Sequence, residues 1–351
     1  MLQRNPSSWQ RPRWQQALAE AISDPAELLS LLELPRELAP TCRDAARQFP
    51  LRVPRSYAAR MRKGDPADPL LRQVLPIAAE NDAVAGFIRD PVGDLEAMPL
   101  PGVLHKYRGR LLLITTGACA VHCRYCFRRH FPYGDANPAP ASWRQALDYI
   151  AADPSITELI LSGGDPLSLP DRRLAELASQ LAAIPHVKRL RLHTRLPIVL
   201  PERVDTALLA WLASSPLQKV MVIHANHSNE IGADTRHALG ALRDCGVTLL
   251  NQSVLLRGVN DATEVLAELS EALMAAGVLP YYLHLLDKVQ GAAHFDVPEP
   301  TALALMEELQ DRLPGYLVPR LVREIAGFPA KTPVVSHRES SCKPDPQGIL
   351  L

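Results

Sequence analysis

From residue 110 onward, short apolar runs alternate with amphipathic stretches. The apolar runs predict six strands, at residues 111–116, 158–162, 187–194, 219–224, 248–255 and 280–286. The intervening stretches predict helices at 142–152, 171–183, 203–213, 230–245, 262–276 and 300–312, where apolar residues recur at helical spacing. Strands that alternate with helices of this length form parallel βα units. We therefore expect an α/β fold, an incomplete (βα)6 TIM-like barrel, because eight units would need more chain.

The chain before residue 106 follows another pattern. Residues 14–34 predict helix, with Pro25 at a first helical position behind an Asp24 cap, and residues 41–48 predict a further short helix. Prolines then recur as far as Pro101, which disfavours a sheet. We assign 1–105 to a helical and irregular N-terminal extension, 106–313 to the partial barrel, 314–335 to a C-terminal segment and 336–351 to a poorly ordered tail.

Polar residues and glycines stand directly after several predicted strands. In barrels of parallel strands, the active site lies at the C-terminal ends of the strands. We therefore expect these residues to share one site: Cys119–Cys126, Gly163, Gly164, Asp165, Arg195, His224, Asn226, Gln252 and Asp287.

Three cysteines, Cys119, Cys123 and Cys126, lie within eight residues at C-x3-C-x2-C spacing. Thiolates are the usual ligands of iron–sulfur clusters. Three thiolates leave one iron of a four-iron cluster without a protein ligand, and an open metal position normally serves a substrate or cofactor. The alternative is three core or zinc-binding cysteines, but zinc sites usually show paired C-x2-C knuckles and four ligands.

Composition and charge narrow the class of protein. The 351 residues contain 38 Lys plus Arg and 38 Asp plus Glu, so no net field favours nucleic acid or a membrane surface. The other cysteines, Cys42, Cys245 and Cys342, are scattered, which is not a disulfide framework. The first residues lack the apolar core of a signal peptide, and no apolar run reaches the length of a membrane span. We expect a soluble cytoplasmic enzyme.

The cysteine spacing resembles the signature of the radical S-adenosylmethionine (SAM) superfamily, in which SAM binds the fourth iron of a 4Fe–4S cluster. Ser162-Gly163-Gly164-Asp165 is similar to the superfamily's Gly-Gly-Glu element, which binds the amino group of SAM. Asp165 replaces the glutamate here. The resemblance implies a radical SAM partial barrel.

A narrower resemblance covers residues 50–335. The cysteine loop through Phe131, the segments 162–165, 251–253 and 281–291, and Lys331-Thr332-Pro333 are similar to the lysine 2,3-aminomutases. The segments 105–107, 127–133 and 287–295 are closer to the subfamily that makes β-lysine for modification of elongation factor P. The metal-binding cysteines near the C-terminus of the catabolic enzymes have no counterpart beyond Cys342, so we expect no structural zinc.

The family resemblance implies that pyridoxal 5′-phosphate (PLP) is bound covalently by Lys331. It places Arg110 and Tyr107 near the PLP phosphate, and Gln252 and His224 in the cofactor pocket. The residues alone give weaker indications, because a lysine in such a loop is usually exposed and a single strand histidine is usually a core residue.

The resemblance also implies how an amino acid is bound. Arg128 matches the arginine that binds the substrate carboxylate, and a planar guanidinium suits that bidentate contact. Asp287 matches an acid that pairs with the distal ammonium of lysine, and Glu324 stands where the catabolic enzymes have a second Asp.

The implied reaction is isomerisation of L-lysine to β-lysine by migration of the amino group from C2 to C3. The implied partners are a reductant such as flavodoxin or ferredoxin, elongation factor P and its lysine ligase. Three alternatives remain open at this point. They are a catabolic or osmolyte-producing lysine 2,3-aminomutase, a radical SAM enzyme without PLP, and a non-enzymatic iron–sulfur module.

Overall fold

The computed structural model describes residues 12–136 and 140–335. One nine-stranded sheet forms its centre, with the strands in sequence order from β1 to β9. The strands are β1 Val103–Tyr107, β2 Arg110–Ile114, β3 Glu158–Ser162, β4 Arg189–Thr194, β5 Gln218–Ile223, β6 Thr248–Val254, β7 Leu279–His284, β8 Arg320–Arg323 and β9 Thr332–Pro333. Strands β2 to β8 are parallel, while β1 and β9 pair antiparallel at the two edges. This linear order leaves the sheet open and confirms the predicted incomplete barrel.

Helices connect the parallel strands and cover the sheet. The described helices are α1 Arg13–Ala19, α2 Pro25–Leu31, α3 Ala39–Gln48, α4 Arg55–Ala58, α5 Pro69–Arg72, α6 Tyr133–Ala136, α7 Pro140–Ala152, α8 Asp171–Ala182, α9 Leu196–Val199, α10 Thr206–Ser214, α11 Ala233–Asp244, α12 Thr263–Ala275 and α13 Glu299–Arg312. In α8 the buried Leu174, Leu177 and Leu181 follow at spacings of three and four residues, so one face of the helix packs on the core. All five residues of β3 are buried, as expected for a strand covered on both faces.

The six predicted strands and the helices between them are all present, with boundaries that differ by a few residues. The expectation of no sheet before residue 106 is wrong at β1, which forms a hairpin with β2. Gly109, with a φ of 79°, occupies the tight turn between these strands, where a left-handed backbone favours glycine. Strand β8 was also not predicted, because its four residues hold only two apolar side chains, Leu321 and Val322, between two arginines.

The N-terminal extension packs on the barrel and shares its hydrophobic core. Asp24 accepts a hydrogen bond from the Ala26 amide at the start of α2, which confirms the predicted cap. Ser56 and Arg60 donate to the carbonyls of Val199 and Ile198 at 3.0 and 2.7 Å, so the extension is tied to the C-terminal end of the sheet.

Some sequence predictions fall outside the described residues. The tail at 336–351, including Cys342, lies there. Among the helices that the structure describes, none has the length and apolar character needed to cross a bilayer.

Candidate active site

A cavity of about 410 Å³ opens at the C-terminal ends of the parallel strands. Of the residues that the sequence placed in a shared site, Asn226 is not part of the cavity lining, because its buried side chain donates to the Tyr125 hydroxyl at 2.7 Å. The walls do bring together, from separate strands and loops, every residue to which the resemblance assigned a role. These are Tyr107, Arg110, Cys119, Cys123, Cys126, Arg128, Ser162, Gly163, Gly164, Asp165, His224, Gln252, Asp287, Glu324 and Lys331. The position agrees with the general rule for barrels of parallel strands.

The cysteine loop follows β2 and packs against the glycines that follow β3. A Cβ atom on Gly163 would lie 2.4 Å from the Thr116 carbonyl oxygen, and one on Gly164 would lie 2.3 Å from that of Ala118. Both distances are shorter than any side chain tolerates. The two glycines are therefore needed for the close approach of these two loops, whatever their contact with SAM.

Asp165 has a structural task that its resemblance to the SAM-binding glutamate did not indicate. Its Oδ1 accepts from Thr194 Oγ1 at 2.7 Å and from the Leu167 amide at 3.0 Å. Its Oδ2 accepts from the Arg195 amide at 2.7 Å and from the Leu196 amide at 3.2 Å. The carboxylate thus joins the ends of β3 and β4. A contact with the amino group of SAM stays a prediction.

Two buried arginines beside the cysteines are held by one acid of the N-terminal extension. Glu80 accepts from Arg124 Nε at 2.9 Å and from Arg129 Nη2 at 2.7 Å. The Glu80 side chain is 1% exposed, and a buried carboxylate is stable only when it is paired in this way. Sequence reasoning missed Glu80, because a single acid in an irregular segment carries no pattern.

The three cysteines supply the thiolates that a four-iron cluster uses, one on each of three irons. In the described part of the chain, no three His, Cys, Asp or Glu side chains converge closely enough to hold one metal ion. Cys119, Cys123 and Cys126 all line the same wall of the cavity, where such a cluster would meet a bound cofactor.

A chain of charges crosses the cavity, and its central acid is Asp94. Its Oδ2 accepts from Arg128 Nε at 2.6 Å, and its Oδ1 lies 2.6 Å from Lys106 Nζ. Lys106 in turn donates to Glu324 Oε1 at 3.0 Å. Arg128 and Glu324, proposed for opposite ends of the substrate, are therefore held in fixed relation by Asp94 and Lys106. Asp94 and Lys106 were not predicted as site residues, since Asp94 stands before the sheet and Lys106 lies in the unpredicted edge strand β1.

Lys331 lies between an acid and a histidine. Its Nζ is 3.2 Å from Glu324 Oε2 and 3.2 Å from His284 Nε2. Burial and the nearby Lys331 ammonium hold the pKa of His284 far below its usual range, so the imidazole is neutral. His284 is a further residue that the sequence did not indicate, because it reads as a buried strand position.

The two acids proposed for the substrate ammonium have opposite pKa shifts. Burial, with repulsion from Glu324, raises the pKa of the Asp287 carboxyl to about 7. Burial also raises that of Glu324, but the Lys331 and Lys106 ammonium groups more than offset it, and its pKa falls to about 2. Glu324 is thus ionised and already paired with two lysines. The Asp287 carboxylate is the one that an added cation, such as the substrate ammonium, would stabilise more.

The cavity lining also includes aromatic rings and polar side chains that have atoms without a partner among the described residues. The Arg110 guanidinium lies 4.5 Å from the centre of the Tyr107 ring. Within the described residues, His193 Nε2, His224 Nε2 and Gln252 Oε1 are buried without a hydrogen-bond partner. Buried polar atoms are normally satisfied, so these three fit a polar group bound in the cavity. Their arrangement beside Lys331 is compatible with PLP.

The open parallel sheet and the cysteine loop at its C-terminal edge define a radical SAM enzyme. The family model for the radical SAM superfamily matches residues 113–269. Membership of this superfamily implies a 4Fe–4S cluster and SAM as cofactors.

Curated relatives identify the family more narrowly. An L-lysine 2,3-aminomutase of Escherichia coli (strain K12) is 53% identical over 325 residues, which cover 92% of this chain and 95% of the relative. One from Haemophilus influenzae is 50% identical over 95% of this chain and 98% of the relative. One from Clostridium subterminale is 35% identical over 94% and 79%. The chain belongs to the L-lysine 2,3-aminomutase family.

Proposed function

We propose that this chain isomerises L-lysine to β-lysine, using the cluster, SAM and PLP, with PLP bound covalently through Lys331. The observation that carries the proposal is the convergence of Arg128, Asp287, Glu324 and Lys331 in the cavity that the three cysteines also line. Lysine has one carboxylate and a distant ammonium, so a selective site needs a cation and an acid at its two ends.

Arg128 is suited to bind the carboxylate because its orientation is fixed. Its Nε contacts Asp94, and its Nη1 donates to Ser162 Oγ at 3.1 Å. Asp94 is buried and also paired with Lys106, so the guanidinium cannot turn away without leaving a buried charge unpaired. Among the described residues, Nη2 makes no such contact and remains for the substrate carboxylate.

Two lysines line the cavity, and their contacts favour Lys331 as the PLP-binding residue. Lys106 Nζ has three oxygen partners, Asp94, Glu324 and the Val92 carbonyl, at 2.6, 3.0 and 2.8 Å. These three oxygens hold the ammonium in place and leave it no free hydrogen-bond donor. The Lys331 Nζ contacts one carboxylate, that of Glu324, and the neutral imidazole of His284. A neutral imidazole can accept a hydrogen bond from an amine whether or not the amine is charged. PLP, when bound there, supplies electron delocalisation to the reacting carbon atoms.

The physiological role that we propose is supply of β-lysine for modification of elongation factor P. It is supported by the resemblance at residues 105–107, 127–133 and 287–295 and by the length that this chain shares with its Escherichia coli relative. Mass spectrometry of elongation factor P from cells with and without this gene tests it. An unchanged mass of the modified lysine would favour the catabolic or osmolyte role instead.

The activity is tested with anaerobically reconstituted protein, SAM, PLP, reductant and L-lysine. Because β-lysine has the same mass as L-lysine, the two are separated by chromatography before mass spectrometry. We expect β-lysine in the complete mixture and none when any one component is left out. If methionine were released from SAM but no β-lysine formed, the assignment as a radical SAM enzyme would stand. The assignment of lysine as its substrate would be wrong. Product formation without PLP would refute the role of Lys331.

Asp287→Asn is expected to lower kcat/KM for lysine by roughly 30- to 4000-fold. Loss of one partner of a buried charge pair costs about 2–5 kcal/mol, at about 1.4 kcal/mol per factor of ten. Glu324→Asp is the control, because it keeps the charge and should have a far smaller effect. Steady-state kinetics at matched cluster and PLP content decide the question. Turnover of Asp287→Asn within threefold of the parent protein would contradict this ammonium site.

The pH dependence of kcat/KM for lysine should also reflect the ionisation of the Asp287 carboxyl. The groups acting on its carboxyl are Glu324 and Asp94, which raise its pKa, and Lys331 and Lys106, which lower it. Because the substrate ammonium binds the ionised form, kcat/KM should fall as the pH drops through about 7. Asp287→Asn should abolish this inflection between about pH 6 and 8. An unchanged profile would assign the titration to another group.

A further inference from the structure

Arg195, directly after β4, connects the cysteine loop to the N-terminal extension. The residue is 6% exposed. Its Nη1 donates to Cys123 Sγ at 2.7 Å. Its Nη2 donates to Glu230 Oε2 at 3.0 Å, Gln73 Oε1 at 2.6 Å and Tyr57 OH at 3.1 Å. One end of the guanidinium thus faces a cysteine sulfur, while the other is fixed by three buried groups.

Glu230, the acid behind Arg195, is itself held rigidly. It is fully buried, and its Oε1 accepts from Gln73 Nε2 and from the Asn226 amide, both at 3.0 Å. Both oxygens of the carboxylate are therefore engaged. Arg195 cannot leave Cys123 without separating from this acid in a buried setting, which is unfavourable. The contact with the sulfur is built into the fold.

We propose that Arg195 and Glu230 set the reduction potential of the iron–sulfur cluster through the Cys123 sulfur. The inference rests on the proposed binding of the cluster by Cys123. Hydrogen bonds to the sulfurs and the net charge around a cluster are the terms by which a protein tunes its potential. Reduction adds one electron from an external reductant. A fixed cation and N–H donor stabilise that added negative charge, and a nearby carboxylate opposes it.

The two residues should shift the potential in opposite directions. Arg195→Gln removes the cation, so reduction should become about tenfold less favourable, which is ~59 mV more negative for one electron. Glu230→Gln removes the opposing negative charge and keeps a similar side-chain shape. The reduction potential of the cluster in this variant should therefore become more positive. Arg195→Lys keeps the charge and should shift the potential less than Arg195→Gln does. A purely structural role for this pair predicts no such reversal of sign.

The test is a redox titration of the reconstituted full-length protein without SAM, followed by the electron paramagnetic resonance signal of the reduced cluster. Arg60→Gln is the matched control. Arg60 donates to the Glu230 carbonyl at 2.9 Å and pairs with Asp234, and no contact with a cysteine is seen among the described residues. This variant removes a nearby cation without touching the sulfur, so its shift should be much smaller than that of Arg195→Gln.

Iron and sulfide content separate the possible failures. A parent protein that takes up no cluster would refute the proposed function itself. The role of this pair would be overturned if Arg195→Gln and Glu230→Gln both carried a full cluster and both changed the equilibrium constant for its reduction by less than twofold. Shifts of the same sign in both would also overturn it. If Arg195→Gln fails to fold or to load, Glu230→Gln and Arg195→Lys still decide the outcome by the direction and size of their shifts.

Discussion

Alanine at Cys119, Cys123 or Cys126 is expected to remove most of the cluster and, with it, all detectable β-lysine formation. In the proposed cluster each thiolate would hold a different iron, so loss of one would leave a second iron without a protein ligand. The cysteines share one loop whose backbone is fixed against Gly163 and Gly164, so a neighbouring residue cannot move in to substitute. Iron and sulfide analysis, with the absorbance of the reconstituted protein, measures the loss.

Cys42→Ala and Cys245→Ala are the matched controls for this experiment. Cys42 is buried in α3 of the N-terminal extension, and Cys245 follows α11, where its thiol contacts the Leu209 carbonyl. Neither lines the cavity. Both variants should load a full cluster. A full cluster in Cys123→Ala, or its loss in either control, would show that the ligands have been misassigned.

The fold was predictable because its signals are local and repeated. Each βα unit pairs a buried apolar run with a helix of period 3.6, and this pattern survives small errors at the boundaries. The cysteine loop was predictable for a similar reason, since three thiols at close spacing are rare without a shared ligand. Strand β8 has only four residues, too few for a period to show, and β1 directly follows the proline-containing stretch that ends at Pro101.

The supporting charges of the site were not predictable from the sequence. Glu80 and Asp94 each stand in irregular chain before the barrel, yet each holds two cations at the cavity. Nothing in the local sequence separates them from solvated acids, because their role depends on contacts made by distant residues. The pairs Lys106–Glu324 and Lys331–His284 span 218 and 47 positions, which no spacing rule detects.

These unpredicted contacts help to decide which lysine binds PLP. The resemblance alone points to Lys331, but Lys106 lies in the same cavity and contacts the same acid, Glu324. The two lysines differ in the other groups that their Nζ atoms contact. Lys106 contacts a second carboxylate, that of Asp94, whereas Lys331 contacts the neutral imidazole of His284. The Lys331 Nζ therefore contacts one carboxylate where the Lys106 Nζ contacts two, so Lys331 is the less tightly held of the two amines.

Lys331→Ala is therefore expected to abolish covalent attachment of PLP and reduce β-lysine formation below detection, while the cluster loads normally. Borohydride reduction and peptide mapping should place the PLP label of the parent protein on Lys331 alone. Lys288→Ala is the control, since Lys288 is exposed and lies against Phe87, outside the cavity lining. Its label and activity should match those of the parent. A label that persists in Lys331→Ala and maps to Lys106 would reverse the assignment, because it would show that the Asp94 contact does not prevent Lys106 from reacting.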